Sequence, residues 1–188
     1  DEKTEDSAET SSNEENKTTF TVGFDAEYPP YGYMDENGEY TGFDLELAEA
    51  VCKLEGWELV KKPINWDAKD MELNSGAIDC IWNGFTMNGR EDEYTFSIPY
   101  VDNSQVIVVA ENSGINTPED LAGKTVGVQA ASAALELLQS DEKDGQKALA
   151  DTFGALNEFA DYNTAFTELQ AGALQIIRLS QEERDIKF

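Results

Sequence analysis

"AIDCIWNGFTMNGR", residues 77–90, joins a short apolar run to a loop of small and polar residues that ends in an arginine. The run is short and lies between turn signals, so it reads as a buried strand. It stops at Trp82, and Asn83, Gly84, Thr86 and Arg90 then fall on the loop at its carboxyl end. In a parallel α/β sheet, that edge is where small ligands bind. The loop has so little bulk that its backbone can approach a ligand closely. A guanidinium is a rigid fork of donors that pairs with both oxygens of a carboxylate. Arg90 therefore reads as a carboxylate clamp. A solvated surface arginine is the plainer reading, and its place at a strand end argues against it.

Working outward, strands and helices alternate on both sides. "FTVGF", residues 20–24, is a strand, and Pro29-Pro30 breaks whatever follows it. Asn37-Gly38 suits a hairpin turn. "FDLELAEAVCKLEGW", residues 43–57, reads as a helix with Asp44 as N-cap, Glu46 in the first turn, Lys53 in the last and Gly56 as the stop. Its expected buried face is Leu47, Ala48, Val51 and Leu54. A strand around Leu59 and a helix from Trp66 to Gly76 lead into the opening stretch. From Gln105 the pattern restarts. Strands are expected at 105–110, 124–129 and 155–160, with helices opening at Pro118, Ser132 and Asn163. The order implies an α/β class with a parallel sheet in each half. A short echo supports two similar halves: "LNSGAIDCI" at 73–81 and "LQAGALQII" at 169–177.

Two more strand ends bring candidates to the Arg90 rim. Asp25 and Tyr28 follow the first strand, and Trp66 follows the next. Tyr28 and Trp66 read as walls of a binding site, and Phe43 as more core-like. Ser132 reads as a plain N-cap and, compatibly, as the start of an anion-favouring helix turn facing Arg90. Glu91, Asp92 and Glu93 read as a solvated face.

Composition narrows the functions. Acidic residues outnumber basic ones by 39 to 13, a formal net charge of −26. Such a chain repels nucleic acid and anionic lipid. It contains 0 histidines, which removes Ser–His and Cys–His nucleophiles and histidine metal sites. Cys52 and Cys80 are too few for a disulfide framework, and read either as two buried thiols or as one bridge. No run is long enough to span a membrane. Residues 1–19 cannot bury enough apolar surface to order themselves, so a disordered leader is expected: a tether or a solubilising tail.

The blocks "TVGFDAEYPPYGYMDENGEYTGFDLELAEAV", "GAIDCIWNGFTMNGRED", "FSIPYVDNSQVIVV" and "LAGKTVGVQAAS" closely resemble the extracellular solute-binding proteins of amino-acid ABC importers, from about Phe20 to Gly172. The resemblance implies a two-lobed type II periplasmic-binding-protein fold, with lobe 1 at 20–103, lobe 2 at 104–188 and a hinge near 104–106. It implies a cleft closing on a polar or charged L-amino acid and a membrane permease as partner. No cofactor or metal is implied, and no enzymatic role. In that pattern Arg90 grips the α-carboxylate, helped by Thr86 and the first turn at Ser132 and Ala133. Asn83 and Gly84 meet the ligand at the strand end, Tyr28 and Trp66 wall its side chain, and Asp25 is a nearby polar contact. The leader resembles the spacer of a surface lipoprotein, which implies an extracellular, membrane-tethered location. The family usually continues past 172 with a strand, an acid for the α-ammonium, a return strand and closing helices. Here "ALQIIRLSQEERDIKF" places Ser180 near that acid. The expectations are a missing return to lobe 1, weak ligand capture, and an exposed face inviting dimerisation. The alternatives are a dehydratase-like enzyme of the same fold or a receptor's sensing domain.

Overall fold

The computed structural model describes residues 18–182. Residues 1–17, nearly all of the expected leader, and the last six residues lie outside that range. Strand β1 (Thr19–Phe24) comes first and includes Thr19, which the sequence assigned to the leader. A small antiparallel meander follows: β2 (Glu27–Tyr28), β3 (Gly32–Met34) and β4 (Tyr40–Thr41). Then come α1 (Phe43–Glu55), β5 (Glu58–Pro63), a 3-10 turn at Trp66–Ala68 running into α2 (Lys69–Asn74), and β6 (Cys80–Ile81). The first sheet is β5-β1-β6, parallel throughout.

The second lobe is built from β7 (Asn103–Val109), a 3-10 turn at Pro118–Leu121, β8 (Thr125–Gln129), α3 (Ala133–Gln139) and α4 (Lys147–Ala150). It continues with β9 (Ala155–Phe159), α5 (Tyr162–Gln170) and β10 (Ile176–Glu182). Its sheet runs β7-β10-β8-β9. β8 pairs in parallel with β9 and β10, whereas β7 runs antiparallel to β10. This sheet is therefore mixed at one edge. The tail opens with a strand, as the echo between 73–81 and 169–177 implies: Ile176–Glu182 pairs with β7 and β8, with Ser180 opposite Gln105, and among the described residues no later strand returns to the first sheet. Ile176 and Ile177 are fully buried, so apolar burial fixes the strand's start and the β7 ladder carries its length.

Three local expectations are also overturned. Gly42, not Asp44, stands at the α1 N-cap, with φ 129. Asp44 lies inside the first turn, fully buried, accepting a 2.8 Å hydrogen bond from the Tyr100 hydroxyl. The core face of α1 is Leu45, Ala48 and Cys52, and Leu54 is 85% exposed. The expected stripe and the real one are both at helical spacing, and only the position of the sheet decides which is covered. Finally, the run 77–82 pairs as a strand only at Cys80–Ile81, at one edge of the sheet. Single bonds from Asp79 N–H to the Thr21 carbonyl (2.8 Å) and Trp82 N–H to the Gly23 carbonyl (3.0 Å) extend the contact.

The two halves share a packing device. "TVGFD" in β1 and "TVGVQ" in β8 each place a glycine in the middle of the central strand. A Cβ on Gly23 would lie 2.5 Å from Ile78, and one on Gly127 would lie 2.5 Å from Leu174. Ile78 and Leu174 hold the same place in the echoed segments, and both are 2% exposed. Gly76 and Gly172 stop the preceding helices at φ 72 and 76. The echo in the sequence is thus an echo in packing.

Candidate functional site

Segments from both lobes line one cleft. From the first come Tyr28, Trp66 and the loop after β6, with Asn83, Gly84, Phe85, Thr86 and Arg90 lining the cleft. From the second come Gln129 at the end of β8, Ser132 and Ala133 at the start of α3, and Tyr162 at the start of α5. The space they enclose is about 20 Å³. That is room for about one water molecule, so a larger ligand enters only if the lobes part.

Arg90 is 4% exposed. Its guanidinium lies 4.9 Å from the Phe85 ring centre, a cation–π contact. Its Nε donates to Glu136 Oε2 at 3.0 Å and its Nη2 donates to Glu136 Oε1. The sequence reading expected a ligand's carboxylate at this fork; in this structure the carboxylate that meets it is Glu136 of α3. Glu136 was not among the candidates. Its only sequence signal was an acid in the first turn of the helix opened by Ser132.

Trp66 is buried at 7% exposed and packs edge-on against Phe85, with ring centres 5.4 Å apart. Phe43, expected to be the more core-like ring, is 47% exposed. Tyr28 packs on Tyr31 at 5.7 Å and on Tyr162 across the cleft at 6.3 Å. Lys69 is 4% exposed, with Nζ 5.4 Å from the Trp66 ring. It donates to the Ala131 carbonyl of the other lobe at 3.3 Å. Burial pulls its pKa below the usual lysine value, opposed chiefly by Asp70 and reinforced by Arg90.

Asp25 does not line the open space but sits just behind it, 6% exposed. Its N–H donates to Asn83 Oδ1 at 3.2 Å, and its carboxylate accepts from Glu27 N–H at 2.9 Å and from Gln129 Nε2 at 2.8 Å. Asp25 and Gln129 close the matching strands of the two halves, so this bond joins equivalent positions across the cleft. Burial raises the Asp25 pKa, and the bonds from Glu27 and Gln129 partly offset it. The Ser132 hydroxyl is spent locally: it accepts from Leu135 N–H at 3.2 Å and donates to the Gln129 carbonyl at 2.7 Å. The side chain therefore acts as the N-cap of α3, a role compatible with an anion at the helix's first-turn N–H groups. Gln129, Phe85, Tyr162 and Lys69 also went unmarked in the sequence. They become site residues only when the lobes face one another.

Glu91, Asp92 and Glu93 are exposed. Cys52 and Cys80 are free thiols. Among the described residues, no helix is long and apolar enough to cross a membrane, and no group of three His, Cys, Asp or Glu side chains gathers as metal ligands.

A buried guanidinium and aromatic rings thus line a small cleft between two α/β lobes. The chain belongs to the bacterial extracellular solute-binding proteins, family 3, whose model matches residues 20–187. It is 39% identical over 113 residues to the L-cystine-binding protein TcyJ of Escherichia coli (strain K12), covering 58% of this chain and 42% of TcyJ. It is 35% identical over 123 residues to the arginine-binding extracellular protein ArtP of Bacillus subtilis (strain 168), covering 65% of this chain and 48% of ArtP. The chain thus spans less than half the length of these relatives. A substrate-binding protein of an ABC uptake transporter from Streptococcus pneumoniae, solved with bound histidine, superposes with a TM-score of 0.81 at 33% identity, covering 87% of this chain and 66% of that one. All three are binding proteins, and the shared fold is the two-lobed periplasmic-binding-protein type.

Proposed function

We propose that this chain is the solute-capturing component of an amino-acid ABC importer. It closes its lobes on a polar or charged L-amino acid and presents the closed form to a membrane permease. The observation that carries the reading is Arg90, buried at 4% exposure and lining the cleft at a strand's carboxyl end between aromatic walls. A fork held there gains most from a carboxylate, because the dry cleft strengthens charge-assisted bonds. Cystine, arginine and histidine, the solutes named for the relatives, are all amino acids with polar or charged side chains. Thr86, Ser132 and Ala133 are proposed to help hold the carboxylate, Asn83 and Gly84 to contact the ligand's backbone, and Tyr28 and Trp66 to wall the side chain. Asp25 orients Gln129 behind them. The proposed hinge lies near 104–106, and the proposed location is extracellular, with the leader as a tether. No residue is assigned a catalytic task, because nothing in the cleft singles out an acid over a bound solute for turnover.

The test is a thermal-shift and calorimetric screen of the twenty amino acids and cystine. At least one is expected to bind, with Arg90→Ala abolishing the signal and Arg90→Lys recovering little, since a lysine offers no fork. Unchanged affinity in Arg90→Ala would refute the role. The same titration measures how strongly these 188 residues alone capture a solute.

A further inference from the structure

Glu136 sits in the second lobe, one turn into α3, and spans the cleft to Arg90. The two partners differ sharply in setting. The Arg90 side chain is 5% exposed and that of Glu136 is 54% exposed. Arg90 lines the cleft and Glu136 does not. The acid therefore meets the guanidinium from the outer side, along its Nε–Nη2 edge. Among the described residues no other acceptor engages that guanidinium, so Nη1 is left for a group arriving from within the cleft. The Phe85 ring, 4.9 Å from the guanidinium, helps hold it in place.

We infer that Glu136 is a positioning residue and a closing latch: it fixes the plane of Arg90 and couples capture of a carboxylate to closure of the lobes. When the lobes part, Arg90 loses this partner and its fork is free to rotate. When they shut, water leaves both edges of the guanidinium, and each ion pair strengthens in the lower dielectric. Lys69, bonded to the Ala131 carbonyl at 3.3 Å, adds a second cross-cleft bond from the same side. The identity of the captured acid rests on the function proposed above. The latch does not.

The experiment compares the wild-type chain with Glu136→Gln and Glu136→Asp, by small-angle scattering without ligand and by calorimetry with the amino acid the screen selects. Thermal unfolding controls for fold, and the exposed setting of Glu136 makes Glu136→Gln a mild change. Wild type is expected to be compact at low salt and to expand as salt screens the pair. Glu136→Gln is expected to be expanded at both, with no salt response, and to bind about tenfold more weakly. Glu136→Asp should recover part of both. A Glu136→Gln chain as compact as wild type, with the same salt response, overturns the latch, as does equal affinity in a wild type that binds. If wild type binds no amino acid while Glu136→Gln still expands, the proposed function fails and the latch stands.

Discussion

At the scale of single residues, burial decides which charged and polar groups carry function. Most arginines are solvated, but Arg90 is buried with a carboxylate and an aromatic ring for company. Its place at the end of an apolar run marked it as a candidate from the sequence, and it does line the cleft. Glu136 was not, because an acid early in a helix is ordinary and its partner lies 46 residues away in sequence. The cysteines show the same dependence. Cys80 is pushed up to about 12, first by burial and then by Asp79 and Cys52, and burial also raises Cys52. A thiol reacts as its thiolate, so neither is poised to react near neutral pH. Native protein at pH 8 is expected to take up almost no alkylating reagent, while unfolded protein labels at both positions. Mass spectrometry checks this, and rapid native labelling of Cys80 would contradict it.

At the scale of elements, the alternation of strands and helices was readable, and most element ends fell near their glycine and N-cap signals. The exceptions have a common cause. The α1 helix offers two apolar stripes, and the sheet covers the one holding Leu45, Ala48 and Cys52. Periodicity reports that a stripe exists, not which stripe finds a partner. The paired strands "TVGFD" and "TVGVQ" yield a further test. Gly23 and Gly127 leave room for Ile78 and Leu174, which press within 2.5 Å of where a Cβ would stand. Gly127→Ala should cost about 1–3 kcal/mol by overpacking. Denaturant unfolding measures it, and an alanine there that leaves the midpoint unchanged would show that the echo is not a packing device.

At the scale of the whole molecule, closure joins residues that neither half could use alone. Asp25 accepts from Gln129 across the cleft, and burial holds its pKa above the ordinary aspartate value of 3.8. A raised carboxylate contributes stability that is fully present below pH 3.8 and is lost as pH rises through its folded pKa. At neutral pH the buried charge is therefore a cost, and the Gln129 amide relieves part of it. Gln129→Leu should destabilise by about 1–3 kcal/mol at pH 7. That penalty should shrink below pH 3.8, where Asp25 is protonated in both folded and unfolded chains. A remainder independent of pH belongs to the lost bond from Gln129 to the Ala160 carbonyl, 3.1 Å long. Melting temperatures of both proteins across the acid range test this, and a pH-independent difference would remove Asp25 from the account.

The sequence by itself determined the alternation of elements, the glycine stops, the acidic character and the arginine at the rim. These are local matters of periodicity, turn chemistry and charge, written within a few residues of where they act. Only the tertiary structure decided that Gln129, Glu136, Lys69 and Tyr162 share that rim, that β10 runs back along β7, and that Leu54 is left in solvent. Those outcomes depend on which surfaces meet once both sheets have formed, and contacts between residues far apart in the chain leave no periodic trace in it.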